Sequence, residues 1–194
     1  MEKDRVIQGC KVLIIGGSAG SLEVLMELLP RLAIIPTFAI VLVLHRKNAE
    51  DSTLEELLSH KSLIPVREVE DKTPLQPGFI YVAPSDYHLL FETDDMLSLD
   101  TSEKINYSRP SIDVSFESAA EVYGPSLAAI LLSGANADGT KGLLAVKSAG
   151  GAIIVQTPET AQMPFMPNNA VINTNPHLVL DLDGILDFIL NINK

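Results

Sequence analysis

The feature that most constrains this chain is a recurring unit: a short apolar run rich in Val and Ile, a glycine or polar turn, then a segment whose apolar residues recur at helical spacing. Parallel strands joined by crossover helices have this pattern, because each strand is covered on both faces and each helix on one. Lys11-Val12-Leu13-Ile14-Ile15 is the first such run, and Leu22, Leu25, Met26 and Leu29 follow at helical spacing, with Pro30 near the helix end. Residues 39–44 form the second run and end at His45-Arg46, and Leu54, Leu57 and Leu58 mark a helix beyond it. Residues 79–83 predict a third strand, and residues 87–91 with 96–100 predict a hairpin turning at Asp94-Asp95. Arg109-Pro110-Ser111-Ile112-Asp113 introduces a helix that Ser111 caps. A strand over 126–132, a helix over 141–148, a strand over 152–156, a loop around 163–167 and a last helix over 182–191 complete the reading. The expected fold is α/β: a doubly wound, mostly parallel sheet in a Rossmann-like three-layer αβα arrangement, with a small antiparallel hairpin.

Composition narrows the function classes. The length favours one domain, and 46% hydrophobic with 20% charged residues is globular rather than disordered. A formal charge of -11, from 25 acidic against 14 basic residues, repels a phosphate backbone, and no Lys/Arg cluster interrupts the sequence, so nucleic acid is set aside. Cys10 is the only cysteine, which excludes an internal disulfide and a Cys-based zinc cluster. The most apolar stretch, residues 32–44, contains Pro36 and is shorter than the about 20 residues a bilayer span needs. The charged start Met1-Glu2-Lys3-Asp4-Arg5 leads into no signal-peptide core, so the expectation is a cytoplasmic chain that is not membrane-inserted.

Gly16-Gly17-Ser18-Ala19-Gly20 fits G-x-S-x-G and lies between a strand and a helix, where a nucleophile elbow lies. The small neighbours permit a sharp turn that lifts the Ser18 hydroxyl clear of the sheet, and the helix start offers free backbone N–H groups to an oxyanion. The same turn also suits phosphate binding, although G-x-G-x-x-G is incomplete and G-x-x-x-x-G-K-[ST] is absent. A serine hydroxyl needs a base. Of the four histidines, only His45 directly follows a predicted parallel strand, whose carboxyl end is where open sheets place their sites. A carboxylate normally orients such a base, and Asp138 stands in the loop after another strand, although Asp-Gly is also a common turn pair. Ser18, His45 and Asp138 thus leave one sheet edge from three strands, as a triad requires. Their order differs from the Ser, Asp, His order of α/β-hydrolases. A nucleotide-binding α/β enzyme and a non-catalytic binding module are the other readings.

Five ordered motifs resemble the chemotaxis receptor methylesterase family, the catalytic domain of CheB-type protein-glutamate methylesterases. They are Ile15-Gly16-Gly17-Ser18-Ala19-Gly20, the strand ending in His45, Pro77-Gly-Phe-Ile-Tyr-Val-Ala-Pro84-Ser-Asp-Tyr-His-Leu-Leu90, Arg109-Pro110-Ser111-Ile112-Asp113-Val114, and Leu132-Ser133-Gly134-Ala135-Asn136-Ala137-Asp138-Gly139. The resemblance implies hydrolysis of γ-glutamyl methyl esters on the cytoplasmic helices of methyl-accepting chemotaxis receptors, with glutamine deamidation as a related activity. It implies Ser18 as nucleophile, His45 as base, Asp138 as orienting acid, and no metal or organic cofactor. The chain differs from the usual family pattern in Ser18-Ala19-Gly20-Ser21, in Ala135 where a methionine is frequent, and in the acidic Asn48-Ala49-Glu50-Asp51-Ser52 after His45. Most members also carry an N-terminal receiver domain. Here the expectation is one catalytic domain over 1–194, with 1–10 as an N-terminal extension.

Overall fold

The computed structural model describes Ile7, residues 9–46 and residues 53–193. The acidic 48–52 segment and most of the expected N-terminal extension lie outside the described residues.

Seven strands form one parallel sheet: β1 (Val12–Gly17), β2 (Ala39–Leu44), β3 (Val66–Glu68), β5 (Ile80–Val82), β8 (Leu127–Leu131), β9 (Ala152–Gln156) and β10 (Leu178–Leu180). Their order is β10-β9-β8-β1-β2-β5-β3. A second, antiparallel sheet has the order β4-β7-β6, from β4 (Thr73–Pro74), β6 (His88–Glu92) and β7 (Met96–Asp100). The expected hairpin is therefore present and gains a two-residue third strand at its edge. The helices are α1 (Ser21–Leu28), α2 (Thr53–Lys61), α3 (Ile112–Tyr123), α4 (Thr140–Ser148), α5 (Phe165–Thr174) and α6 (Leu182–Asn191).

Side chains alternate across each strand, so the uninterrupted apolar runs feed two separate cores. Leu13, Ile15, Ile40, Leu42, Ile130 and Ile154 pack on one face with Leu25, Leu28, Leu58 and Ile185 from the helices. Val12, Ile14, Val41, Leu131 and Ile153 pack on the other with Phe116 of α3, Leu143 of α4 and Leu97 of the small sheet. This is the doubly wound arrangement expected from the sequence. No described helix is long and apolar enough to cross a membrane.

One expectation is overturned. The stretch around 163–167 enters helix α5 at Phe165 rather than remaining a loop. Pro167 lies in the first turn, where the missing N–H costs no helical bond, and Met166 and Ala170 bury the inner face. Asn168, Asn169 and Asn173 have weak helix propensity and concealed the element; packing supplies what propensity lacks. The short strands β3 and β10, at the two ends of the large sheet, were also not read from the sequence: β3 carries Arg67 and Glu68, and β10 is an apolar run of three residues.

From β1 the chain builds outward through β2, then returns past β1 to add β8 on its opposite side. The strand order reverses between β1 and β8, which opens a crevice at their carboxyl ends.

Candidate active site

Backbone pairing sets the three strand ends at one level. Ser18 N–H donates to the Ser133 carbonyl at 2.9 Å, and His45 N–H donates to the Gly17 carbonyl at 3.0 Å, each continuing its ladder just past the strand. Gly20 then takes φ +83 to turn the chain into α1, and a Cβ there would lie 2.6 Å from Ser133 Oγ. Ser133 Oγ donates to the Ala19 carbonyl at 2.7 Å and accepts Met163 N–H at 2.9 Å, tying the Ser18 turn to the segment leading into α5. Gly134 completes the approach: a Cβ on it would meet Ser18 Cβ at 3.0 Å and Met166 Cε at 2.5 Å. The β1–α1 and β8–α4 loops touch because this position has no side chain.

Asp138 is fully buried at its side chain and joins His45 Nε2 to Oδ2 at 2.7 Å. Its other partners lie at the start of α3: Ile112 N–H at 2.7 Å on Oδ2, with Asp113 N–H at 3.0 Å and Ser111 Oγ at 3.1 Å on Oδ1. Burial pushes this carboxyl upward, but the His45 hydrogen bond and the N–H groups of Asp113 and Ile112 outweigh it and hold Asp138 below the usual carboxylate range. An ionised carboxylate only accepts, so His45 Nε2 donates to Asp138, while Nδ1 lies 3.5 Å from Asn136 Nδ2. Nε2 faces the carboxylate here, whereas Nδ1 faces the acid in the common triad.

Asp113 makes the reciprocal contact. Its Oδ1 accepts Gly142 N–H at 2.7 Å and Gly139 N–H at 2.9 Å, at the start of α4. Asp138, from the α4 side, caps α3, while Asp113, from the α3 side, caps α4, and each carboxylate meets a positive helix end. Burial first, and the nearby Asp138 charge second among the raising influences, lift Asp113 to about 6 against its two N–H donors. Ser111 acts as the expected cap by accepting Val114 N–H at 3.4 Å. Neither its donation to Asp138 nor the role of Asp113 was legible in the sequence, although both lie in the Arg109 to Val114 motif.

Ser18, Ala19, His45 and Asn136 line a cleft of about 670 Å³. Among the described residues, no hydrogen bond joins Ser18 Oγ to His45, and the N–H groups of Ala19 and Ala135 donate to no protein acceptor. The other histidines lie elsewhere: His60 is exposed on α2, His177 is exposed and accepts Ile153 N–H at 3.0 Å, and buried His88 bridges Ser111 N–H and the Glu103 carbonyl.

The sequence model of the CheB methylesterase family matches residues 13–189. The chain belongs to the CheB methylesterase family. A putative protein-glutamate methylesterase/protein-glutamine glutaminase of Leptospira interrogans is 38% identical over 184 residues, spanning 95% of each chain. The protein-glutamate methylesterase/protein-glutamine glutaminase of Thermotoga maritima is 35% identical over 164 residues, and the match covers 83% of this chain but 48% of that one. The crystal structure of the Thermotoga maritima CheB methylesterase catalytic domain superposes with a TM-score of 0.89 at 33% identity, covering 94% of this chain and 98% of that one. The chain therefore spans nearly the full length of one CheB relative and about half of another. Within this CheB fold, Met166 of α5 fills the space beside Gly134.

Proposed function

We propose that this chain is a protein-glutamate methylesterase that hydrolyses γ-glutamyl methyl esters on the cytoplasmic helices of methyl-accepting chemotaxis receptors, and deamidates glutamine by the same route. The observation that carries the reading is the buried 2.7 Å contact between His45 Nε2 and Asp138 Oδ2 beside the cleft that Ser18 lines. The names of the relatives supply the ester and amide chemistry. Residues 1–194 act as one catalytic domain, with 1–10 as an extension, and work in the cytoplasm where receptor helices are accessible.

Ser18 Oγ attacks the ester carbonyl as His45 Nδ1 takes its proton, and Asp138 stabilises the imidazolium through Nε2. The N–H groups of Ala19 and Ala135 receive the oxyanion. Collapse of the tetrahedral intermediate breaks the bond to methoxide, which leaves as methanol with the proton from His45. Water then adds to the acyl-enzyme while His45 takes a proton, and the second collapse returns Ser18 and releases glutamate. With glutamine the leaving group is ammonia. Because acylation requires the hydroxyl, Ser18→Ala is expected to lower methanol release from methylated receptor by about 10³-fold or more while the circular dichroism spectrum is retained. Undiminished turnover would overturn the assignment.

A further inference from the structure

The wall of the cleft has the opposite sign from the molecule. In a chain of net charge -11, Arg46, Lys104 and Arg109 line the cavity that holds Ser18, against Asp86 as the one carboxylate among the described lining residues. Arg46 is far in sequence from Lys104 and Arg109, and the fold brings it beside them. Their partners make Arg109 distinctive. Arg46 Nη2 is occupied by Glu68 at 2.7 Å and by the Ala83 carbonyl at 2.9 Å. Arg109 Nη1 is held by the carbonyls of Thr101 and Ser102, both at 2.9 Å, which orient the guanidinium without neutralising it. Among the described residues no carboxylate pairs with Arg109 or Lys104, although acidic residues exceed basic ones. The Nε atoms of Arg46 and Arg109 are both buried without a partner, which a protein tolerates least where no ligand compensates.

The segment that carries two of these cations forms a tight turn at the cleft. Ile105 and Ser108 exchange both backbone hydrogen bonds, at 3.2 and 2.9 Å, around a two-residue turn in which Asn106 and Tyr107 take φ 50 and 62. Left-handed backbone is costly for a tyrosine. The turn nevertheless places Tyr107 at the cleft with 98% of its surface exposed, while Asn106 Nδ2 anchors the turn to Asp113 at 3.3 Å.

We propose that Arg109, Lys104 and Arg46 form a carboxylate-binding subsite in the Ser18 cleft, so that the protein segment presented to Ser18 is acidic on the flanks of the reacting residue. A guanidinium fixed by two carbonyls is preorganised for a carboxylate, and local positive charge on an acidic molecule steers an acidic peptide to this one place. The assignment deepens the esterase reading and rests on it for the identity of the reacting residue, but its test is binding and does not require turnover.

Two fluorescent peptides of equal length, centred on glutamine and flanked by glutamates in one and by glutamines in the other, are titrated at low salt against the protein carrying Ser18→Ala. The acidic peptide is expected to bind on the order of 10-fold tighter or better. Adding Arg109→Gln should lower its affinity roughly 10-fold, and adding Lys104→Gln about 3-fold, and each difference should shrink in about 0.5 M salt. Equal binding of the two peptides, or a preference that survives both replacements, overturns the subsite. Lys104 is exposed and makes no hydrogen bond among the described residues, so its variant decides the matter if Arg109→Gln disturbs the 101–109 segment. Methanol release by the unmodified protein from a glutamyl methyl ester peptide with neutral flanks reports separately on the esterase reading: its absence counts against that reading and leaves the binding result in force.

Discussion

Asp138 illustrates how much of the proposed chemistry depends on a single side chain. Both its oxygens are used, Oδ2 by His45 and Ile112 N–H, Oδ1 by Ser111 and Asp113 N–H, so neither can rotate without leaving a buried donor unpaired. An amide at this position can accept on one side only. Asp138→Asn turns an N–H₂ group toward either the imidazole or the helix N–H groups, and the favoured outcome removes the proton from His45 Nε2, placing it on Nδ1 where Ser18 needs a lone pair. Methanol release should fall about 10³- to 10⁴-fold while the circular dichroism spectrum is retained. A loss below about 10-fold would mean that His45 is oriented without Asp138. Asp138 and His45 were legible as residues following strands; which ring nitrogen faces Asp138 was not, because it depends on the side from which Asp138 arrives.

At the scale of elements, α3 and α4 are joined at their starts by the exchange of Asp113 and Asp138. The two carboxylates have opposite linkage to pH. Asp138, held low in the folded protein, contributes stability above the ordinary carboxylate range that is lost as pH falls through its folded value. Asp113, raised to about 6, contributes most below the ordinary range of about 4, and that contribution is lost as pH rises through about 6. Asp113→Asn keeps an oxygen for Gly139 and Gly142 N–H but removes the charge that burial and Asp138 oppose. The melting temperature of this variant, relative to wild type, is therefore expected to improve between about pH 4 and about pH 6 and to stay level above that. A pH-independent difference between the two proteins would show that Asp113 does not titrate in this window.

For the whole molecule, the two cores hold the crevice open at the β1/β8 reversal by fixing the strands beneath it. Ile130 is fully buried in β8 on the face covered by α1 and α6. Ile130→Ala should destabilise the protein by about 2–5 kcal/mol in denaturant titrations, with activity per folded molecule retained, because the lost volume lies in the core away from the cleft. A large loss of activity at unchanged stability would instead tie β8 packing directly to the site. The sequence by itself determined the alternation of buried strands and crossover helices, the hairpin at residues 87–100, the Ser111 cap, and the emergence of Ser18, His45 and Asp138 from one sheet edge, because each is encoded in local periodicity or turn chemistry. Only the tertiary structure decided the rest. Helix α5 forms through burial of Met166 and Ala170 despite an Asn-rich sequence. The reciprocal Asp113–Asp138 caps and the gathering of Arg46, Lys104 and Arg109 in one cleft join residues distant along the chain, and no local pattern specifies their contact.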